Sequence, residues 1–105
     1  MSDRLDQLKK LHEADPADPF CTYGIALEHA KAGRRDDAIA WLDKTLELDG
    51  QYCYAYFQKG KILSEMGRED EARAVLELGM AVGRKAGNPD ALHAAEEMAT
   101  LLETI

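Results

Sequence analysis

The chain is predicted to be all-α, an array of antiparallel helical hairpins with about six helices in all. Three observations predict it. An eleven-residue phrase, Gly33-Arg34-Arg35-Asp36-Asp37-Ala38-Ile39-Ala40-Trp41-Leu42-Asp43, returns 34 residues later as Gly67-Arg68-Glu69-Asp70-Glu71-Ala72-Arg73-Ala74-Val75-Leu76-Glu77. A fixed period of this size is the mark of stacked repeats. The punctuation is helical: Gly at stops, acids just after them, and Pro at starts. No stretch alternates apolar and polar residues as a half-buried strand does.

The phrase has a mechanical reading. Its Gly ends one helix in the left-handed conformation, where a Cβ would clash. Its acids fill the first turn of the next helix, at the positive end of the dipole. Its Ala lets a neighbouring helix approach, and the Leu four residues on packs beneath it. It is therefore the turn and second-helix start of a hairpin, used twice.

In chain order, Leu5, Leu8 and Leu11 make a narrow apolar stripe on a first helix over residues 2–14, with Ser2 as its N-cap. Asp15-Pro16 stops it, because a residue before Pro is pushed out of the helical region. Asp18 as N-cap and Pro19 at the first helical position open a second helix that reaches about Ala32, and Gly33 closes it. A third runs from Arg35 to Leu48 and breaks at Asp49-Gly50. The fourth, from about Gln51 to Met66, carries Tyr52, Tyr54, Tyr56 and Phe57. So many aromatics suit a strand, but Lys59, Lys61, Ser64 and Glu65 keep helical spacing up to Gly67. The fifth runs from Glu69 to about Arg84. Asn88-Pro89-Asp90 (cap, Pro and first-turn acid) opens the last helix, residues 89–104.

At 105 residues the chain is expected to form one domain with a core that needs no metal or disulfide. Twenty acids against 13 Lys and Arg give a net charge of −7. That opposes a nucleic-acid or anionic-membrane partner, both of which need a basic footprint. With no long apolar run and no signal-peptide core at the start, a cytoplasmic location is expected. Cys21 and Cys53 lack a CxxC spacing and read as free thiols.

The two hairpins resemble tetratricopeptide repeats. The 34-residue skeleton of aromatic-x2-Leu-Gly-x2-Tyr and then Ala-x3-Phe is met by Tyr56-x2-Lys59-Gly60-x2-Leu63 and Ala72-x3-Leu76. An earlier copy reads Thr22-x2-Ile25-Ala26-x2-His29 and Ala38-x3-Leu42. The steps Ala26 to Ala38 and Gly60 to Ala72 are equal and set the alignment. Lys59 stands at an apolar position, Thr22 at an aromatic one, and Gly50 replaces the usual closing Pro. The resemblance implies repeats at 19–50 and 53–84, a leading single helix at 2–14 and a capping helix at 89–104. The chain is also similar to small bacterial proteins of this family that open with a DPxDPF-like phrase.

What the resemblance implies for function is a concave groove lined by the first helix of each repeat. Its positions are Phe20, Tyr23, Leu27 and Lys31 from the first repeat, with Ala30 beside them, and Tyr54, Phe57, Lys61 and Glu65 from the second, with Ser64. Aromatic anchors offer large rigid area at low entropy cost, and Lys31 and Lys61 are placed to meet a carboxylate or carbonyl. The alternative is that the last helix folds into the groove and makes these aromatics core. Tyr23, Leu27 and Lys61 stand where chaperone-clamping members carry Lys and Asn, so that role is not expected.

His12, His29 and His93 are scattered without a metal-ligand spacing. His29 takes a position where the repeat packs Tyr and reads as core; His93 with Glu96 and Glu97 reads as a solvated face. Of the paired acids, Asp36-Asp37 and Asp70-Glu71 are helix-start residues, and no GxSxG, P-loop, HExxH or dinucleotide fingerprint occurs. No catalytic residue, metal or cofactor is therefore expected. The expected function is a non-catalytic adaptor for a protein or peptide partner. Its rival is a self-associating module, a homodimer at the simplest, that pairs through exposed helix faces.

Overall fold

The computed structural model describes residues 3–105, so the Ser2 cap lies outside the described residues. They form six helices and no strand. Two compact units divide the chain, one up to Gly50 and one from Gln51 onward.

The first unit holds α1 (Asp3–Ala14), α2 (Pro19–Lys31) and α3 (Arg35–Leu48). The Asp18 carboxylate accepts from the Phe20 amide at 2.9 Å, and Pro19 follows as the first helical residue. That Asp–Pro pair starts α2 by satisfying one of the amides a helix start leaves free. Gly33, at φ 78°, turns the chain into α3, whose first turn carries Asp36 and Asp37. Leu5, Leu8 and Ile25 form the core between α1 and α2, with Trp41 of α3 packed on its edge. Trp41 thus lies along the seam between helices. The His12 ring meets it edge-on at 5.2 Å and Lys44 sits 5.8 Å over its face.

Thr22 replaces the aromatic residue of the repeat skeleton and is fully buried. Its hydroxyl lies 2.8 Å from that of Thr45 on α3, and the two reach the carbonyls of Pro19 and Trp41 at 3.0 and 2.9 Å. The pair answers its own polar groups, so the position stays buried without an aromatic ring.

The second unit holds α4 (Cys53–Glu65), α5 (Glu69–Ala86) and α6 (Pro89–Thr104). α4 packs on α5, and α6 packs on both. The Asn88 side chain caps α6 by accepting from the Ala91 amide at 2.9 Å. Two helix ends differ from the expected ones. α4 starts at Cys53 rather than Gln51, because Asp49 to Tyr52 form a turn and Tyr52 enters the helix without a side-chain cap. α5 runs two residues past Arg84, because Arg84, Lys85 and Ala86 keep helical backbone until Gly87, at φ 73°, closes it. Cations in that last turn favour the extension.

Both copies of the repeated phrase bury the same letters. Ala38, Leu42, Ala72 and Leu76 are all fully inaccessible. At Gly60 a Cβ would stand 2.4 Å from Cδ2 of Leu76, so α4 and α5 meet there with no room for a side chain. One turn along α5, a Cβ at Gly79 would stand 2.5 Å from Tyr56 Cβ and 2.6 Å from Met98 Sδ. α5 is thus pressed against α4 and α6 through a glycine that shares its contacts with both.

Gly79→Ala is therefore expected to destabilise. Helix propensity favours Ala by about 1 kcal/mol. Overpacking against Tyr56 Cβ, which moves only with its backbone, costs about 1–3 kcal/mol and is expected to win. Urea unfolding should show a lower midpoint for Gly79→Ala. Gly50→Ala, where the new Cβ would have nothing nearer than a carbonyl oxygen at 3.9 Å, should stay within about 0.5 kcal/mol of the parent.

Candidate functional site

In the first unit α2 buries Cys21, Thr22, Gly24, Ile25, Ala26, Glu28 and His29. What it leaves out is one stripe: Phe20 and Lys31 exposed, Tyr23, Leu27 and Ala30 half-buried. Phe20 is 60% exposed, an unusual state for its size. The expected site residues of this unit therefore share one uncovered face of α2.

Beside that face lies a hollow of about 490 Å³ lined by Leu5, Asp6, Lys9, Glu28, His29, Lys31, Ala32 and Arg34. Its charges answer one another. The buried Glu28 carboxylate meets Lys31 Nζ at 3.1 Å and Arg4 Nε at 3.8 Å. Lys31, expected to meet a partner's carboxylate, is thus engaged by Glu28 one turn back on its own helix. Arg34 Nε donates to His29 Nδ1 at 2.8 Å, which places the proton of the neutral ring on Nε2. His29 is buried, as expected of a core position.

Burial, then the Arg34 charge, hold the His29 imidazole below its ordinary value of 6.5, with Asp37 pulling weakly the other way. The unfolded chain then takes up this proton more readily than the folded one. Stability from neutral His29 is complete above pH 6.5 and falls as pH drops from there toward the lowered native value. Between pH 7.5 and 5.5 the wild type should therefore lose more melting temperature than His29→Gln does. Equal losses would mean that the ring is not held neutral.

Cys21 Sγ donates to the Asp18 carboxylate at 3.6 Å, and burial, then that carboxylate, raise its pKa. Cys53 Sγ donates to the Gln51 carbonyl at 3.4 Å. Both are buried thiols outside any disulfide, and a raised pKa makes Cys21 a poor nucleophile. Among the described residues no group of His, Cys, Asp and Glu is arranged to hold a metal ion.

In the second unit α4 buries Cys53, Ala55, Tyr56, Gly60, Ile62 and Leu63. Tyr54 and Phe57 stay half-buried, and Lys61 and Glu65 are exposed. These four are offset by 34 from Phe20, Tyr23, Leu27 and Lys31. The Tyr54 and Phe57 rings meet edge-on at 6.4 Å. Burial, then Glu97 and Asp90, raise the Tyr54 pKa, so its hydroxyl faces a negative field from α6.

α6 does not close over Phe57. It packs through Ala91, Ala94, Ala95 and Met98, leaving an open hollow of about 490 Å³ lined by Phe57, His93, Glu96, Glu97, Thr100, Leu101 and Thr104. His93 Nε2 lies 3.1 Å from Glu97 Oε1. The α6 side of this hollow was not foreseen: His93, Glu96 and Glu97 read as a solvated face, and Leu101 is not singled out by the sequence. The signal lay in the helix starts. α4 begins at Cys53 and α6 at Pro89, so the stripe Tyr54, Phe57, Lys61, Glu65 recurs at an offset of 36 as Asp90, His93, Glu97, Leu101. α5 has 18 residues against 14 in α3 and the link after it is two residues shorter, and the net shift hides the stripe from a strict period of 34.

A profile described as Tetratricopeptide repeat matches residues 41–74. No curated protein matches the sequence. Among solved structures, a tetratricopeptide repeat domain protein from Salinibacter ruber is similar at 29% identity and TM-score 0.75, covering 86% of this chain and 88% of that one. The type III secretion translocator chaperone SycD of Yersinia enterocolitica is similar in fold at TM-score 0.87 and 21% identity, covering 96% of this chain and 74% of that one. PcrH, solved in complex with the chaperone binding region of PopD, is similar in fold at TM-score 0.86 and 17% identity, covering 95% of this chain and 74% of that one.

Proposed function

We propose that this chain, a tetratricopeptide-repeat protein by its matched repeat and its fold, is a non-catalytic cytoplasmic adaptor that holds a peptide or a partner helix. The contact surface is the uncovered stripe on the first helix of each hairpin: Phe20, Tyr23, Leu27 and Lys31 on α2, and Tyr54, Phe57, Lys61 and Glu65 on α4. One observation carries the reading. Each stripe leaves aromatic rings at least partly exposed on a helix whose opposite face is core, and exposed aromatics are costly unless something uses them. The fold relative PcrH, solved with a segment of PopD, gives a precedent for peptide binding on this architecture.

An amphipathic partner helix would present apolar anchors at i, i+3 or i+4, and i+7. The test is affinity capture from the native lysate by wild type and by a Tyr54→Ala/Phe57→Ala/Lys61→Ala variant of equal helicity. The variant should lose a protein that wild type retains, by tenfold or more. Equal capture by both would move the working surface off α4.

A self-associating module is the second reading, favoured by Leu78 on α5 and Leu92 on α6, 56% and 42% exposed. Short arrays of repeats do complete their cores by pairing. Light scattering over a dilution series decides it, because a monomer at every concentration removes this reading.

A further inference from the structure

The lining of the α4–α6 hollow points to the chemistry of its occupant. Phe57 and Leu101 supply half-buried apolar surface, and Thr100 and Thr104 supply neutral hydroxyls. The lining carries two carboxylic side chains, Glu96 and Glu97, and no Lys or Arg. The one basic group there, His93, already lies 3.1 Å from Glu97 and carries charge only when protonated. Asp90 extends the field along α6, since it and Glu97 both act on the Tyr54 hydroxyl next to Phe57. Lys61 stands one turn beyond Phe57 on α4, outside the lining, and Glu65 follows it one turn later.

We propose that this hollow takes a cationic amphipathic segment of a partner protein, with an apolar side chain seated between Phe57 and Leu101 and a flanking Lys or Arg beside Glu96 and Glu97. This rests on the adaptor reading above and gives its partner a chemical class. It reverses the polarity expected from the groove lysines. In the first unit the Lys31 charge is answered by buried Glu28; in the second the open apolar surface is walled by carboxylates. A partner anchored by Leu, Ile or Phe alone would leave both glutamates unanswered at the rim. A partner bearing carboxylates would meet like charge there, at a cost. The chain's net charge of −7 adds a long-range field that speeds encounter with a cationic segment.

The test uses the full chain and a displayed library of random 16-residue peptides. Recovered binders are remeasured by titration calorimetry against wild type, Phe57→Ala, Glu96→Gln/Glu97→Gln and a charge-matched control, Glu77→Gln/Glu103→Gln. Both control glutamates are exposed and outside the lining. The expected binders carry net positive charge beside an apolar anchor. They should lose tenfold or more with Phe57→Ala and with Glu96→Gln/Glu97→Gln, and less than threefold with the control. Their binding should also weaken as salt is raised, since the carboxylates are at least partly exposed. Binders that need Phe57 yet are neutral or acidic, or that ignore Glu96 and Glu97, would overturn the charge inference and leave the adaptor reading standing. Equal weakening by the control pair would reduce the effect to net charge and also overturn it. Recovery of no binder that needs Phe57 would overturn the inference and move the adaptor's working surface off α4.

Discussion

The contact on which the second unit depends is the approach of α4 to α5 at Gly60 and Leu76. With no Cβ at Gly60 the Leu76 side chain lies almost on the α4 backbone, and Leu76 is fully buried. That contact sets the rotation of α4 about its axis. Once Gly60 faces α5, helical geometry brings Tyr56 and Leu63 to the same side, and Tyr54, Phe57, Lys61 and Glu65 are left on another. The outer stripe is thus a consequence of the inner one. The first unit reaches the same end through Ala26, Ala38 and Leu42, with a Thr22–Thr45 hydroxyl pair where an aromatic ring is usual.

A helix that serves as both core element and binding element needs this division of faces. The apolar residues of α4 exceed what α5 and α6 can cover, and the surplus is aromatic rather than aliphatic. α6 then adds its own part to the open side. Its small residues, Ala91, Ala94 and Ala95, let it lie close to its neighbours, while His93, Glu97 and Leu101 border the space next to Phe57. The arrangement gives an apolar floor with carboxylates at its rim.

Much of this was legible in the sequence because the repeated phrase couples local and tertiary requirements. Gly33 and Gly67 were readable as left-handed stops, Asp18-Pro19 and Asn88-Pro89 as helix starts, and the phrase's Ala and Leu as core. Each of these depends on one residue meeting one local demand. The offset of 34 places the α2 and α4 stripes at matching positions on their helices. The α6 contribution was not legible, because the face of α6 that borders Phe57 is set by how α6 packs on α4 and α5, which no spacing within α6 reports. The pairing of Lys31 with Glu28 is an i, i+3 spacing open to inspection, but its consequence depends on Glu28 being buried, which no spacing reports. The hydroxyl pair of Thr22 and Thr45 joins residues on different helices and has no periodic signature.

The central claim is that the face of α4 left over by packing, with the matching edge of α6, is where this protein holds its partner. Side-chain footprinting by hydroxyl radicals, with and without the captured partner, tests it most directly, because it reads individual rings and aliphatic side chains on every helix. The account predicts that the partner lowers modification of Tyr54, Phe57 and Leu101 severalfold and leaves Leu78 and Leu92 as reactive as before. Protection of Leu78 or Leu92 with Phe57 unchanged would contradict it and move the interface to the outer faces of α5 and α6.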